Sequence, residues 1–187
     1  MNFELRIVPP HPSHGFPSDA EEDRYAEYDA ELDDVSSVID DIFGVLESRG
    51  YGFVARVWDD APWPVSLRPD LAVVLEQLPD VFAALTLGRP CSIDFYEQGI
   101  ERLVVLSPTG QDVAVERIAA RADTGDERRE GRVARDVLDA ELRKLVEDVL
   151  LACRGSCPLL AAHPWFESWA ARLEASARVA GEAPRHR

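Results

Sequence analysis

Three strand-like segments follow one another between residues 91 and 120, and their order constrains the fold more than any other feature of the sequence. They are CSIDFYE (91–97), IERLVVLS (100–107) and QDVAVERIAA (111–120), joined by Gln-Gly and Pro-Thr-Gly. Glycine-containing turns between such segments are typical of β-hairpins. The sequence therefore predicts an antiparallel three-strand meander at about 91–120.

The first hairpin of this meander admits two registers. A turn with a glycine bulge places Asp94 opposite Arg102, which allows a cross-strand ion pair. A tighter two-residue turn places Phe95 opposite Arg102 instead. Either register sets Arg102 against a neighbour in the sheet, so the polar cluster is interpreted as a hairpin rather than a catalytic centre. Tyr96 and Glu97, near its tip, remain candidate contact residues.

Apolar residues at helical spacing predict helices at about 34–49, 132–153 and 164–179. The first is followed by Gly50, which suits a left-handed C-cap. The third predicted helix begins with WFESW, whose aromatic residues are expected to pack inward.

Other segments complete an α+β pattern. Residues 3–8 and 51–58 are strand-like, and PDLAVVLEQLPDVFAALTLG (69–88) predicts two short helices that each begin with proline. We expect one α+β domain over residues 1–180, with helices covering one face of a mainly antiparallel sheet, and a disordered tail at 181–187.

The net charge of −15 is unevenly distributed. Residues 19–41 hold eleven acidic residues and one arginine, a net charge of −10. Residues 9–33, with four prolines, predict an acidic loop that enters a helix around 21–31. Such a field repels nucleic acid and anionic lipid and attracts a basic protein, although acidity also keeps proteins soluble.

The expected compartment is the cytoplasm. The N-terminus MNFELRIVPP lacks the features of a secretion signal, and no stretch has the length of a membrane span. Three cysteines agree with a reducing environment.

RGYGFVAR (49–56) resembles the consensus of the RNA-recognition motif at six positions, but Arg56 stands where an aromatic residue is expected. Acidic residues on the preceding helix would repel an RNA backbone. RNA binding is therefore a remote alternative, and Gly50 and Gly52 are interpreted as a helix cap and a close-packing glycine.

Three groups of potential metal ligands fall short of known motifs. His11 and His14 form an isolated pair, DAELDDVSSVID lacks the glycine and final glutamate of a calcium loop, and Cys153 and Cys157 have no second pair. We predict no metal and no cofactor. Cys91 is the candidate reactive cysteine, although a small buried thiol is the commoner role.

The segment WDDAPWPVSL places Trp58 and Trp63 on either side of Asp59 and Asp60 in a proline-rich loop. Tryptophans on a rigid loop can anchor a partner, and they can equally staple the loop to the core. Both interpretations stay open at this point.

LRPDLAVVLEQLP and DFYEQGIER resemble segments of uncharacterised bacterial proteins similar to the immunity proteins of polymorphic toxin systems. The resemblance covers about residues 65–106. It implies a small, cytoplasmic, acidic α+β domain that occludes a toxin, often a basic nuclease. It assigns no residue a role.

The leading hypothesis is a non-enzymatic module that binds a basic protein, with no catalytic residue. The predicted contact residues are Glu21, Glu22, Asp23, Glu27, Asp29, Trp58, Asp59, Asp60, Trp63, Tyr96 and Glu97. The alternative is a small enzyme that uses Asp94, Glu97 and Glu101 in acid–base or metal-assisted chemistry.

Overall fold

The computed structural model describes residues 3–11, 28–29, 31–58, 62–95, 102–119 and 129–181. Its strands are β1 (Phe3–Val8), β2 (Gly52–Val57), β3 (Cys91–Phe95), β4 (Arg102–Thr109), β5 (Asp112–Ala119) and β6 (Arg129–Ala134). Its helices are α1 (Val35–Ser48), α2 (Ala72–Thr86), α3 (Arg135–Ser156), α4 (Pro158–Ala161) and α5 (Pro164–Gly181). The α+β class is confirmed. The predicted tail beyond Gly181 and most of the acidic loop lie outside these ranges.

A four-stranded antiparallel sheet contains the predicted meander. β3, β4 and β5 pair in chain order, and β6 joins the far side of β5. Phe95 lies opposite Arg102 and Asp94 opposite Leu103, which is the register of the tighter turn. Alternate residues of the sheet, among them Ile93 and Val104, are buried in the core.

β6 corrects the prediction for the residues before the long helix. The expected helix starts near residue 132, but Val133 is buried in a strand opposite Val113, and α3 begins only at Arg135. The apolar spacing that extends the helix back to Val133 includes Val137, which is 50% exposed. REGRVA has few apolar residues, so pairing with β5 decides its conformation.

β1 and β2 form a separate two-stranded antiparallel sheet, with Phe3 opposite Val57 and Val8 opposite Gly52. Both strands were expected from their alternation, but the structure has two sheets where one was expected. α3 packs on β1, and side chains from both sheets and from the helices share one hydrophobic core.

α2 is one helix of 15 residues where two short helices were expected. Pro79 lies inside it and removes one backbone donor. Leu75, Leu78 and Phe82 are all buried on its apolar side. Burial of this continuous stripe keeps the helix intact across the proline. The sequence prediction instead took Pro79 as the start of a second helix.

The C-terminus of α1 confirms the role predicted for Gly50. Gly50 has a φ of 83°. Its N–H donates to the Glu47 carbonyl at 2.9 Å, and the Tyr51 N–H donates to the Leu46 carbonyl at 3.0 Å, as in a glycine-capped helix end. The close-packing role predicted for Gly52 is wrong, because no atom lies within 4 Å of where its Cβ would be.

Among the described residues, no helix is both long and apolar enough to span a membrane.

Candidate functional site

An ordered acidic turn precedes α1. The carbonyl of Asp29 accepts from the N–H groups of Leu32 (3.0 Å) and Asp33 (2.7 Å). The Asp33 carboxylate accepts from the Asp29 N–H at 2.9 Å, and the Asp29 carboxylate accepts from the Glu31 N–H at 2.9 Å. Aspartate side chains that bind nearby backbone N–H groups stabilise turns of this kind. We call Asp29, Glu31, Leu32, Asp33 and Asp34 the acidic turn.

Leu32 is the most exposed large apolar residue of the described chain, at 85%. It stands between Glu31 and Asp33, in a turn whose described residues are joined by hydrogen bonds. A single exposed leucine is ordinary. An exposed leucine between carboxylates, however, offers a partner an apolar contact and a negative electrostatic field within one small surface.

Tyr28 attaches this turn to two helices. Its hydroxyl donates to Asp41 Oδ2 at 2.9 Å. Its ring contacts His163 edge-on, with centroids 5.1 Å apart, and lies 6.1 Å from the Trp165 ring. Burial raises the pKa of the Asp41 carboxyl, and the hydrogen bond from Tyr28 opposes that rise.

His163 closes the turn before α5. Its Nδ1 accepts from the Trp165 N–H at 3.3 Å, and its carbonyl accepts from the Glu167 N–H at 3.0 Å. Phe166 and Trp169 are buried, which confirms the inward packing expected for them, while Trp165 is half-buried. Tyr28 therefore contacts two half-buried residues that lie beside the buried Phe166 and Trp169 at the start of α5.

Asp34 is the N-cap of α1, and its Oδ1 accepts from the Ser36 N–H at 2.8 Å. Hydrogen bonds from Ser36 lower the pKa of Asp34. The carboxylate consequently remains charged while it serves as the cap, and it adds to the field of the acidic turn.

Arg68, which precedes α2 in the chain, offsets part of the acidic charge on α1. Its Nε donates to Asp40 Oδ1 at 2.6 Å, its Nη2 donates to the other Asp40 oxygen, and its backbone N–H donates to Glu47 Oε1 at 3.1 Å. Gly44 leaves room for this arginine, because a Cβ there would lie 2.8 Å from Arg68 Nη1. Within the described part of the chain, no arginine makes such a bidentate contact with the acidic turn.

The structure buries Trp63, which corrects its assignment as a contact residue. Trp63 is 5% exposed, and its ring meets Phe95 edge-on with centroids 5.2 Å apart. The Arg102 guanidinium lies 4.9 Å from the ring centroid, and the backbone N–H of Trp63 donates to the Ala55 carbonyl at 2.8 Å. Trp63 therefore staples its loop to both sheets.

Trp58 is half-buried against the core and has a φ of 71°, uncommon for a residue with a side chain. The guanidinium of the buried Arg117 lies 5.7 Å from its ring centroid. The exposed part of Trp58 is the portion of the tryptophan loop on which the contact hypothesis still depends.

Of the three acidic residues in the enzymatic alternative, Asp94 is the one that lies in the described part of the chain. It lies on the face of the sheet away from the core, opposite Leu103. Gln77 of α2 accepts from the Asp94 N–H at 2.8 Å and donates to its carbonyl at 3.0 Å. These bonds hold the backbone of an edge strand and leave the carboxylate partly exposed.

No disulfide joins the cysteines of the described chain, and Cys153 and Cys157 are buried. Burial raises the pKa of the Cys91 thiol to about 11, so the thiolate needed for nucleophilic chemistry is scarce near neutral pH. No group of three or more metal-ligating side chains forms among the described residues.

The aromatic residues of RGYGFV are directed into the fold. Phe53 is buried on β2, and the Tyr51 hydroxyl accepts from Ser156 Oγ at 3.0 Å. RNA-recognition motifs use exposed aromatics for base stacking. Neither side chain is placed for that task here.

The remaining predicted residues lie outside the described part of the chain. They are Glu21, Glu22, Asp23, Glu27, Asp59, Asp60, Tyr96, Glu97 and Glu101. Sequence reasoning missed Tyr28 and Leu32. The four-residue spacing of Asp29 and Asp33 was the available signal for an ordered turn.

The structure is that of an α+β protein with a hydrogen-bonded acidic turn at its surface. Comparison with protein-family models, curated proteins and solved structures finds no match for the chain.

Proposed function

We propose that the chain is a non-enzymatic binding protein that recognises a basic protein through the acidic turn. The observation that carries this proposal is Leu32, 85% exposed within a turn of carboxylates that hydrogen bonds hold in place. Leu32 supplies an apolar contact, and Asp29, Glu31 and Asp34 supply the field that selects a cationic surface.

The carboxylates and the leucine of the acidic turn contribute to binding in different ways. Complementary charge accelerates encounter and excludes wrong partners. An apolar side chain that becomes buried contributes more to the lifetime of the complex. Because the turn is already ordered, binding costs less conformational entropy than it would for a flexible acidic segment.

The partner class we favour is a basic toxin, in line with the resemblance of residues 65–106 to immunity proteins. Enzymes that cleave nucleic acid carry cationic surfaces that bind phosphate, and an acidic protein can cover such a surface. This role places the chain in the cytoplasm. Trp58, Asp59, Asp60, Tyr96 and Glu97 remain the expected contacts of a second region.

The test uses the basic protein that the full chain retains from an extract of its source organism, purified and titrated calorimetrically. Leu32→Ala and Glu31→Lys should each weaken binding by about tenfold, roughly 1.4 kcal/mol. Glu76→Lys on α2 makes the same charge change at another exposed position and should have little effect. Equal losses for Glu31→Lys and Glu76→Lys would refute a specific role for the turn.

A further inference from the structure

The two edges of the four-stranded sheet are treated differently by the fold. At β3, the side chain of Gln77 binds both the N–H and the carbonyl of Asp94, so α2 covers that edge. At the opposite edge, β6 pairs with β5 on one side, and no strand in the described part of the chain pairs with its other side. An edge of this kind is a template for another strand.

The charges of β6 alternate in a self-complementary way. Glu130 and Arg132 are exposed and lie on the face of the sheet away from the core, while Gly131 and Val133 lie on the core face. With Arg129, the strand has a net charge of +1, although the chain carries −15. In the sequence, the acidic excess lies mainly at residues 19–41, outside β6.

We propose that two copies of the chain pair through β6, antiparallel about a two-fold axis at Gly131, to form one continuous eight-stranded sheet. This inference is independent of the proposed function. An isologous contact of this type closes on itself and leaves no further edge of the same kind.

Charge selects the register. A continuous sheet keeps each face aligned, so a two-fold axis can pass through residue 130, 131 or 132. An axis at Gly131 sets Glu130 opposite Arg132 of the second copy, twice by symmetry. An axis at Glu130 or at Arg132 would instead set that residue opposite its own copy, with like charges in contact.

Six residues per strand bury less surface than a standard interface, so we expect a weak, concentration-dependent dimer. Sedimentation velocity of the full chain over roughly 1 μM to 1 mM should show the sedimentation coefficient rising toward that of a dimer. A protein that stays monomeric at every concentration would overturn the proposal. This holds even if β6 then pairs with a strand of a different protein.

A charge swap tests the register. Glu130→Arg and Arg132→Glu should each weaken dimerisation by about tenfold or more, because two attractive contacts become repulsive. The double variant restores opposite charges and should dimerise within about threefold of the original protein. A double variant as weak as the single variants would refute the register. Circular dichroism on each variant confirms that the exposed substitutions leave the fold intact.

Discussion

Replacement of Tyr28 by phenylalanine should destabilise the protein more at neutral pH than at acidic pH. The change removes the hydroxyl that donates to Asp41 Oδ2 at 2.9 Å and keeps the ring contacts with His163 and Trp165. A hydrogen bond to a charged acceptor contributes about 1.5–3 kcal/mol. Asp41 is only half-buried and solvent screens the interaction, so we expect a value near or below the lower end of that range, about 1–2 kcal/mol at pH 7.

The pH dependence follows from the raised pKa of Asp41. Because the folded-state pKa exceeds the ordinary value of 3.8, ionisation of this group lowers the free energy of unfolding as pH rises through the folded pKa. Loss of the Tyr28 hydroxyl removes an interaction that lowers that pKa, so the variant should lose more stability over the same pH interval. Below that interval Asp41 is protonated, and the difference between the two proteins should shrink to about 0.5 kcal/mol.

Urea unfolding followed by circular dichroism at pH 3 and pH 7 measures both differences. Tyr51→Phe is the matched control, because its hydroxyl accepts from the neutral Ser156 at 3.0 Å. Its effect should be similar at the two pH values. A Tyr28→Phe difference that is equal at pH 3 and pH 7, or absent at pH 7, would show that the Tyr28–Asp41 bond does not fix the acidic turn.

Three further substitution and labelling experiments test other parts of the structure. Trp63→Ala should lower the free energy of unfolding by about 3–5 kcal/mol, measured in urea, whereas a loss below about 1 kcal/mol would mean that the ring is no staple. Gly44→Ala should change the free energy of unfolding by less than about 1 kcal/mol, because the better helix propensity of alanine offsets the displacement of Arg68 from Asp40. In the Gly44→Ala background, Arg68→Ala should lower the free energy of unfolding by less than it does in the original protein. An equal loss in the two backgrounds would contradict the contact between Gly44 and Arg68. Iodoacetamide should alkylate Cys91 slowly at pH 7 and faster up to a pH near its pKa of about 11, and a half-maximal rate near pH 8 would contradict the burial of this thiol.

Local signals in the sequence were sufficient for several elements. α1 combines a buried stripe with an N-cap at Asp34 and a glycine cap at Gly50, and both ends were predicted within two residues. The meander was equally clear, because its turns contain glycine and its strands alternate. In each case, the residues that mark the ends of the element and its apolar period lie within the segment itself or directly beside it.

Tertiary contacts decided the elements that sequence reasoning missed. β6 has little apolar character of its own and depends on pairing with β5. In α2, burial on both sides of Pro79 outweighs the loss of one hydrogen bond. Local propensity contains neither effect.

The candidate site was predicted only in part. The density of acids near α1 is evident in the sequence, and Asp29 was among the predicted contacts. The fixation of the turn by Tyr28 depends on His163, 135 positions later, and no local pattern connects the two. Trp63 shows the converse, since its sequence setting fitted both an anchor and a staple, and only its burial distinguishes them.

The most direct test of the central claim is the rate constant for association with the purified basic partner, measured by stopped-flow fluorescence over a range of NaCl concentrations. For the original protein, this rate constant should fall steeply as salt rises. Glu31→Lys should lower it about threefold or more at low salt and reduce its salt dependence, while Leu32→Ala should mainly speed dissociation. An association rate that salt does not change, or that Glu31→Lys leaves as it was, would contradict recognition through the acidic turn.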